Sequence, residues 1–297
     1  LLWALSGSGE PDVALNHLVR LYQALEEESP QARDEIDQRL RSDEAFRVRL
    51  IALLGGSSAI GDHLVANPEQ WVLLCKDAPT REEMFAEMLA SVEATPAELA
   101  IEDNPETTNS ASAALTTPGT YRAGITGPDA ERFLRWTYRT IMMRLAALDL
   151  SGTYPNDARR KGQPRVDFST AARRLSDLAD AALTAALSVA VAGVYADRPV
   201  DARLSVMAMG KCGAQELNYI SDVDVVFAAE PAHAKATRLA AEFIRIGCNS
   251  FFEVDAALRP EGKSGALVRT LDSHAAYYRR WAETWEFQAL LKARPMT

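Results

Sequence analysis

The spacing of apolar residues predicts helices along most of the first 200 positions. In the first such segment, leucines recur at intervals of three and four residues, which places them on one face of a helix. They are Leu15, Leu18, Leu21 and Leu25. Similar patterns follow over residues 43–54, 128–148 and 171–186, and prolines separate the early segments. This part of the chain is therefore predicted to be helical.

Two polar segments interrupt the helical pattern. Residues 101–126 are rich in Thr, Ser, Asn, Pro, Gly and Ala, which is typical of a loop or a mobile insertion, and residues 151–165 form a second polar loop. We therefore predict two domains. The first is a helical region over residues 1–127 that ends in the flexible insertion, and the second covers residues 128–297.

The pattern changes after residue 200, where short apolar runs alternate with helical segments. Strands are predicted over 203–209, 222–227 and 252–258, and helices over 237–246 and 272–294. A chain in which the helices come first and a small sheet follows has the pattern of an α+β fold. In the last helix Tyr277, Trp281 and Trp285 recur every four residues. We expect this stripe to pack against the sheet, with stacking on an adenine ring as the alternative.

Composition narrows the classes of function. The chain has 41 acidic and 32 basic residues and a net charge of −9, whereas a general nucleic-acid binder has a basic excess. The three cysteines lack metal-ligand spacing, which indicates reduced thiols and a cytoplasmic location. No apolar run reaches about 18 residues, so we predict no contact with a membrane. The chain begins without Met and stops directly after a predicted helix, so we expect a piece of a longer protein.

The candidate chemistry begins with a glycine turn and a pair of aspartates. The first predicted strand runs into Gly210 and Gly213, whose backbone N–H groups can hold phosphate oxygens. Asp222 and Asp224 follow in the second strand and point to the same face, roughly 7 Å apart. Two carboxylates on one face of an apolar strand are costly unless a cation lies between them. Mg²⁺, which prefers oxygen ligands and brings phosphates with it, is the expected occupant.

A third carboxylate, that of Asp255, lies in the next predicted strand. If this strand lies beside the second one, Asp255 can reach the same metal ions, and three such aspartates can hold two of them. The loop that follows carries Arg259, Lys263 and Ser264 among glycines, which is typical of a segment that contacts phosphate. Taken singly, each acid favours a structural role, either as a turn cap or as a partner for an arginine or a lysine. Ser221 and Ser264 could likewise serve only to cap turns.

Three sequence blocks together resemble a known family. They are Gly210-Lys211-x-Gly213-x-x-Glu216-Leu217-Asn218-Tyr219-x-Ser221-Asp222-x-Asp224, then Val254-Asp255-x-x-Leu258-Arg259-Pro260-x-Gly262-x-Ser264-Gly265, and then Trp285-Glu286-x-x-Ala289-Leu290-x-Lys292-Ala293-Arg294. In this order they resemble the bifunctional glutamine synthetase adenylyltransferase/adenylyl-removing enzymes of the nucleotidyltransferase superfamily. The earlier segment from Leu53 to Glu69 is similar to that family as well.

The resemblance implies a fold, a site and a reaction. The fold is a nucleotidyltransferase domain with a small mixed β-sheet flanked by helices. Asp222, Asp224 and Asp255 are implied to be the catalytic metal ligands, for two Mg²⁺ ions. Residues near the phosphate or the AMP moiety are implied to be Gly210, Lys211, Gly213, Ser221, Arg259, Lys263 and Ser264. The implied protein substrate is glutamine synthetase, a PII signalling protein is a possible regulator, and no nucleic acid or membrane partner is implied.

Such enzymes contain two catalytic halves, one that attaches AMP to glutamine synthetase and one that removes it. The turn reads Gly213-Ala214-Gln215-Glu216-Leu217-Asn218, whereas attaching halves more often have Gly-Gly-x-Glu-Leu-Gly. The Leu291-Lys292-Ala293-Arg294 ending also favours the removing half, since attaching halves usually have Arg-Ala-Arg. We therefore expect phosphorolysis of AMP-tyrosine to ADP. The alternatives are the ATP-dependent attaching half and a non-catalytic module that binds glutamine synthetase or PII.

Overall fold

The structure is a computed structural model, and it describes residues 1–99, 120–152, 154 and 166–296. Most of the two predicted polar loops (101–126 and 151–165) lies outside the described residues. The chain divides into two compact units. The first comprises Leu1–Thr80 with Arg139–Ala171, and the second comprises Arg81–Tyr138 with Ala172–Thr297. The domain boundary after residue 127 stays a prediction.

The first unit is helical, and amphipathic stripes build its core. Its helices are α1 (Leu2–Ser6), α2 (Pro11–Glu28), α3 (Pro30–Ser42), α4 (Glu44–Gly56) and α5 (Ser58–Ala66), followed by a 3-10 helix (Pro68–Cys75). Leu18, Leu21 and Leu25 of α2 are buried, whereas Leu15 is 46% exposed. The apolar stripe predicted from the sequence is thus the buried face of α2, apart from its first leucine.

The second unit contains the remaining helices and all the strands of the described residues. Its helices are α6 (Arg81–Ala90), the start of α7 (Gly127–Ser151), most of α8 (Phe168–Tyr195), α9 (Gly210–Gly213), α10 (Ala234–Ser250), α11 (Leu271–Arg280) and α12 (Thr284–Leu290). A two-stranded ladder pairs β1 (Thr95–Pro96) with β2 (Tyr121–Arg122). The main sheet contains β3 (Arg203–Ala208), β4 (Val223–Glu230), β5 (Val254–Asp255), β6 (Val268–Arg269) and β7 (Arg294–Pro295).

The main sheet is mixed, as predicted. Its strand order is β5-β4-β3-β7, and β6 also pairs with β4. β3 is antiparallel to β4 and to β7, whereas β5 and β6 are parallel to β4. Helix α10 connects the parallel strands β4 and β5 and packs closely against β5. This contact depends on glycine at position 247, because a Cβ there would lie 2.8 Å from Val254 Cγ2. This topology confirms the α+β class, with a small mixed sheet flanked by helices.

Helix α8 is apolar for most of its length. Among the described residues it is long and apolar enough to pass a length-and-composition test for a membrane span. However, 83% of its apolar window is buried inside the protein, as in the core helix of a globular domain. The pair α4 and α5 passes the same test only jointly, and it is bent by 117°.

Two sequence predictions are wrong at the end of the chain. The helix predicted over 272–294 is broken, because Glu283 and Glu286 form a capping box that starts α12 as a separate helix. The expected packing of the aromatic stripe on the sheet is also wrong, since the side chains of Trp281 and Trp285 are 74% and 54% exposed.

The third strand is shorter than predicted. β5 covers only Val254–Asp255 instead of 252–258, because the Ala257 N–H donates to the Asp255 carboxylate at 2.8 Å and starts a turn.

Candidate active site

The glycine turn between β3 and β4 brings the backbone against a carboxylate. The Met209 N–H donates to the Asp224 carbonyl at 2.9 Å, which joins the end of β3 to the start of β4. Gly210 then adopts a positive φ of 52°, a conformation that favours glycine. A Cβ on this residue would lie 2.9 Å from Asp224 Oδ2. Any side chain at position 210 would therefore occupy the space in front of the Asp224 carboxylate.

The other glycine of the turn is a point of close contact with the end of the chain. A Cβ at Gly213 would lie 2.0 Å from the Lys292 carbonyl oxygen and 2.5 Å from that of Ala208. Both neighbours are backbone atoms, so neither can move aside as a flexible side chain would. Residue 213 must be glycine for the segment before β7 to pack on the turn.

The sheet brings the candidate aspartates together. Asp224 and Asp255 are Cα partners in the parallel ladder of β4 and β5, and Asp222 precedes β4 by one residue. Asp222 is exposed, whereas Asp224 and Asp255 are partly buried. Partial burial raises the pKa of Asp224, the charges of Asp222 and Asp255 raise it further, and Lys211 opposes the rise. The carboxylates of Asp222 and Asp255 therefore both act electrostatically on that of Asp224.

This donor set fits a divalent cation. It combines three carboxylates with a single lysine, and Gly210 leaves open the space in front of one carboxylate. In the part of the chain that the structure describes, no three carboxylate, imidazole or thiol groups are already close enough to hold a metal ion. The assignment of Asp222, Asp224 and Asp255 as metal ligands therefore stays a prediction.

Two other predicted residues lie beside these acids. Lys211 is exposed, and its ammonium group lies 3.5 Å from Ser221 Oγ. The Ser221 hydroxyl in turn donates to Asn218 Oδ1 at 2.6 Å. The turn therefore places one cation and one hydroxyl near the start of β4.

The predicted phosphate loop after Asp255 has a different internal structure. The Arg259 guanidinium donates to the carbonyl oxygens of Ala256, Lys263 and Gly265, at 2.7, 2.9 and 3.1 Å. Arg259 thus braces the loop from inside, while Lys263 and Ser264 are exposed on a 3-10 turn. The phosphate-binding roles of these three residues stay predictions.

A buried ion pair fixes the backbone of the glycine turn, and it was not identified from the sequence. Arg294 forms a bidentate pair with Asp180 of α8, at 2.7 and 2.9 Å, and also donates to the carbonyl oxygens of Cys212 and Gly213. Asp180 is fully buried; burial raises its pKa, and the hydrogen bonds from Arg294 oppose the rise. Arg81 adds a second cation 3.6 Å from the same carboxylate.

One sequence signal pointed to this pair. Asp177 and Asp180 are acids one turn apart at the start of the apolar part of α8, and acids buried there need cationic partners. Their partner Arg294 lies 114 positions away, and no local pattern connects residues at that distance.

An open cleft of about 470 Å³ adjoins the glycine turn. Its lining consists of Gly210, Leu258, Trp285, Gln288, Ala289, Leu291 and Lys292. Gly210 is the only one of these residues that the sequence analysis assigned to the site. The cleft therefore extends from the glycine turn to residues of α12 and of the segment after it.

Comparisons with known proteins agree with the three sequence blocks. The family model described as "Glutamate-ammonia ligase adenylyltransferase" matches residues 80–297. Proteins from Corynebacterium efficiens and Corynebacterium glutamicum, both called bifunctional glutamine synthetase adenylyltransferase/adenylyl-removing enzyme, are 76% and 71% identical over the whole chain. A protein of the same name from Nocardia farcinica is 55% identical. The chain spans 29, 28 and 27% of the length of these three relatives.

Proposed function

The chain belongs to the glutamate–ammonia ligase adenylyltransferase family, and from this premise we propose that it removes AMP from adenylylated glutamine synthetase. In the proposed reaction, an oxygen of inorganic phosphate attacks the adenylyl phosphorus of AMP-tyrosine. The bond between that phosphorus and the tyrosine oxygen breaks, the tyrosine takes up a proton, and ADP leaves.

The observation that carries this proposal is the arrangement around Asp224. This carboxylate lies in register with Asp255, close to Asp222 in sequence, and directly behind the open space at Gly210. Attacker and target are both anionic in this reaction, so the site must offset their repulsion. Two Mg²⁺ ions held by Asp222, Asp224 and Asp255 would supply this charge and stabilise the leaving oxygen.

The residues of the chain itself have complementary roles in the proposal. Gly210 lets the backbone of the turn approach the Asp224 carboxylate, because a Cβ there would lie 2.9 Å from Asp224 Oδ2. Lys211, whose charge lowers the pKa of the Asp224 carboxyl, can contact a phosphate oxygen as it approaches. Ser221 and the exposed Lys263 and Ser264 are further candidates for contacts with phosphate.

The direction of the reaction rests on sequence patterns. The Gly213-Ala214 turn and the Lys292-Ala293-Arg294 ending favour removal of AMP over its attachment. The names of the relatives include both activities, and the attaching activity, which uses ATP, is the second candidate. The proposed protein substrate is glutamine synthetase, and the proposed regulator is a PII protein. The expected location is the cytoplasm.

A pair of matched variants tests the site. Asp224→Asn removes a proposed metal ligand at nearly constant volume, and Glu253→Gln makes the same chemical change on an exposed acid beside β5. With adenylylated glutamine synthetase, phosphate and Mg²⁺, we expect Asp224→Asn to slow ADP release by at least about 100-fold. Glu253→Gln should release ADP at the normal rate. Near-normal ADP release by Asp224→Asn would exclude the proposed site.

A further inference from the structure

The cleft beside Gly210 presents an exposed indole on a rigid support. Trp285, whose side chain is 54% exposed, lies in the first turn of α12. That turn is fixed by Glu286, which is only 4% exposed and accepts from the Glu283 N–H at 2.7 Å and from the Tyr277 hydroxyl at 2.9 Å. Because its neighbour is anchored inward, Trp285 is held outward, toward the cleft.

An amide accompanies the indole on the same helix. Gln288 follows Trp285 by three residues, a spacing that puts the two side chains on one face of a helix, and both line the cleft. A glutamine amide has one acceptor and two donors, and it can form a bidentate pair with adenine. An aromatic ring contributes a stacking surface for any nucleobase.

The charges and the position of the cleft suit a nucleobase rather than a phosphate. Lys292, the one cation of the lining, is paired with Glu216 at 2.8 Å. The remaining lining is apolar, glycine or amide. Gly210 also lines the cleft, and a Cβ on it would lie 2.9 Å from Asp224 Oδ2. A nucleotide whose phosphate lies at Asp224 can therefore extend its base along this cleft.

We propose that this cleft is the adenine subsite, in which Trp285 stacks on the base and Gln288 binds its hydrogen-bonding edge. The proposal rests on the proposed function, because it takes the adenylyl group as the ligand. It assigns α12 to nucleotide recognition and leaves the phosphoryl chemistry to the aspartates.

Binding of ADP to tryptophan variants tests the subsite without any need for turnover. Trp281 is a matched control, since it is also exposed but does not line the cleft. In calorimetric titrations with Mg²⁺ we expect Trp285→Ala to weaken ADP binding about 10- to 100-fold, the usual range for a lost base stack. Trp285→Phe should retain most of the affinity, and Trp281→Ala all of it. Ribose 5-phosphate, which lacks the base, should bind wild type and Trp285→Ala equally.

A second comparison tests the amide. IDP differs from ADP at the position of the adenine amino group, so Gln288→Ala should reduce the preference for ADP over IDP. An unchanged preference would overturn the role of Gln288.

The outcomes separate the two proposals. If ADP binds wild type and Trp285→Ala equally, or if ribose 5-phosphate binding falls in parallel, the subsite is wrong. The subsite is also wrong if Trp285→Ala loses affinity for glutamine synthetase but not for ADP, since the cleft then contacts protein. If ADP binding depends on Trp285 but adenylylated glutamine synthetase yields no ADP, the subsite stands and the proposed function fails. If ADP does not bind wild type, both are overturned.

Discussion

The carboxylate of Asp224 has two like charges as neighbours and is partly buried, and both conditions raise its pKa. In the metal-free protein its ionised form is therefore disfavoured relative to the unfolded chain. The cost to stability develops as pH rises from the usual range of an aspartate, near pH 3.8, through the raised pKa of Asp224. A bound cation would reverse this cost.

Thermal unfolding with and without Mg²⁺ tests this electrostatic description. At neutral pH and without metal, Asp224→Asn should melt at a slightly higher temperature than wild type, and the difference should disappear as the pH falls below the usual range of an aspartate. Saturating Mg²⁺ should raise the melting temperature of wild type, by mass action on the folded state, and leave that of Asp224→Asn nearly unchanged. Equal stabilisation of both proteins by Mg²⁺ would show that the ion binds elsewhere.

The proximity of the predicted aspartates was predictable from sequence, but the contacts of individual side chains were not. The glycine turn and the aspartates follow from local sequence, because strand alternation and turn chemistry act over a few residues. Arg259 was expected to contact phosphate, whereas its guanidinium donates three hydrogen bonds to backbone carbonyl oxygens of its own loop. Which carbonyls a guanidinium reaches depends on the loop conformation, which composition does not specify.

At the scale of secondary-structure elements, α8 and β7 fix the glycine turn in place. Asp180 of α8 and Arg294 of β7 form the ion pair that does so. A bidentate ion pair of this kind is a strong contact, and it is also costly to break, because the remaining charge is left buried. The same guanidinium donates to the Cys212 and Gly213 carbonyls. The ion pair therefore positions the glycine turn and also stabilises it.

Denaturant unfolding of two arginine variants tests this role. Arg294→Ala leaves the fully buried Asp180 without its closest cation and should cost about 3–5 kcal/mol of stability. Arg245→Ala removes two partly exposed pairs, with Glu131 at 2.7 Å and with Glu242 at 2.9 Å, and should cost less than about 1 kcal/mol. Equal and small losses in both variants would mean that the buried pair contributes little.

The strands and helices near the end of the chain show where periodicity misleads. Tyr277, Trp281 and Trp285 recur every four residues, which is typical of one buried helical face. The capping box of Glu283 and Glu286 ends that regularity and starts a new helix, so that both tryptophans lie at the surface. The available signal for a new helix start was a pair of acidic residues three positions apart, Glu283 and Glu286. The long apolar pattern around them concealed this signal.

For the molecule as a whole, the α+β class was predictable from sequence, whereas the grouping of distant segments into one compact unit was not. Residues 139–171 group with the first 80 residues, although they follow a segment that belongs to the second unit. Such a discontinuous unit arises from contacts between distant segments, which a linear reading of composition shifts does not reveal. The three matched blocks, in contrast, lie within one unit and correspond to α9 with the start of β4, to β5 with its loop, and to α12 with the start of β7.

The most direct test of the proposed function compares the two directions of adenylyl transfer in one preparation of the chain. One reaction contains adenylylated glutamine synthetase, phosphate and Mg²⁺, and the other contains unmodified glutamine synthetase, ATP and Mg²⁺. We expect phosphate-dependent release of ADP in the first reaction and no incorporation of AMP in the second. Incorporation of AMP from ATP, with no ADP formed from the adenylylated protein, would contradict the proposal and assign the chain to the attaching activity.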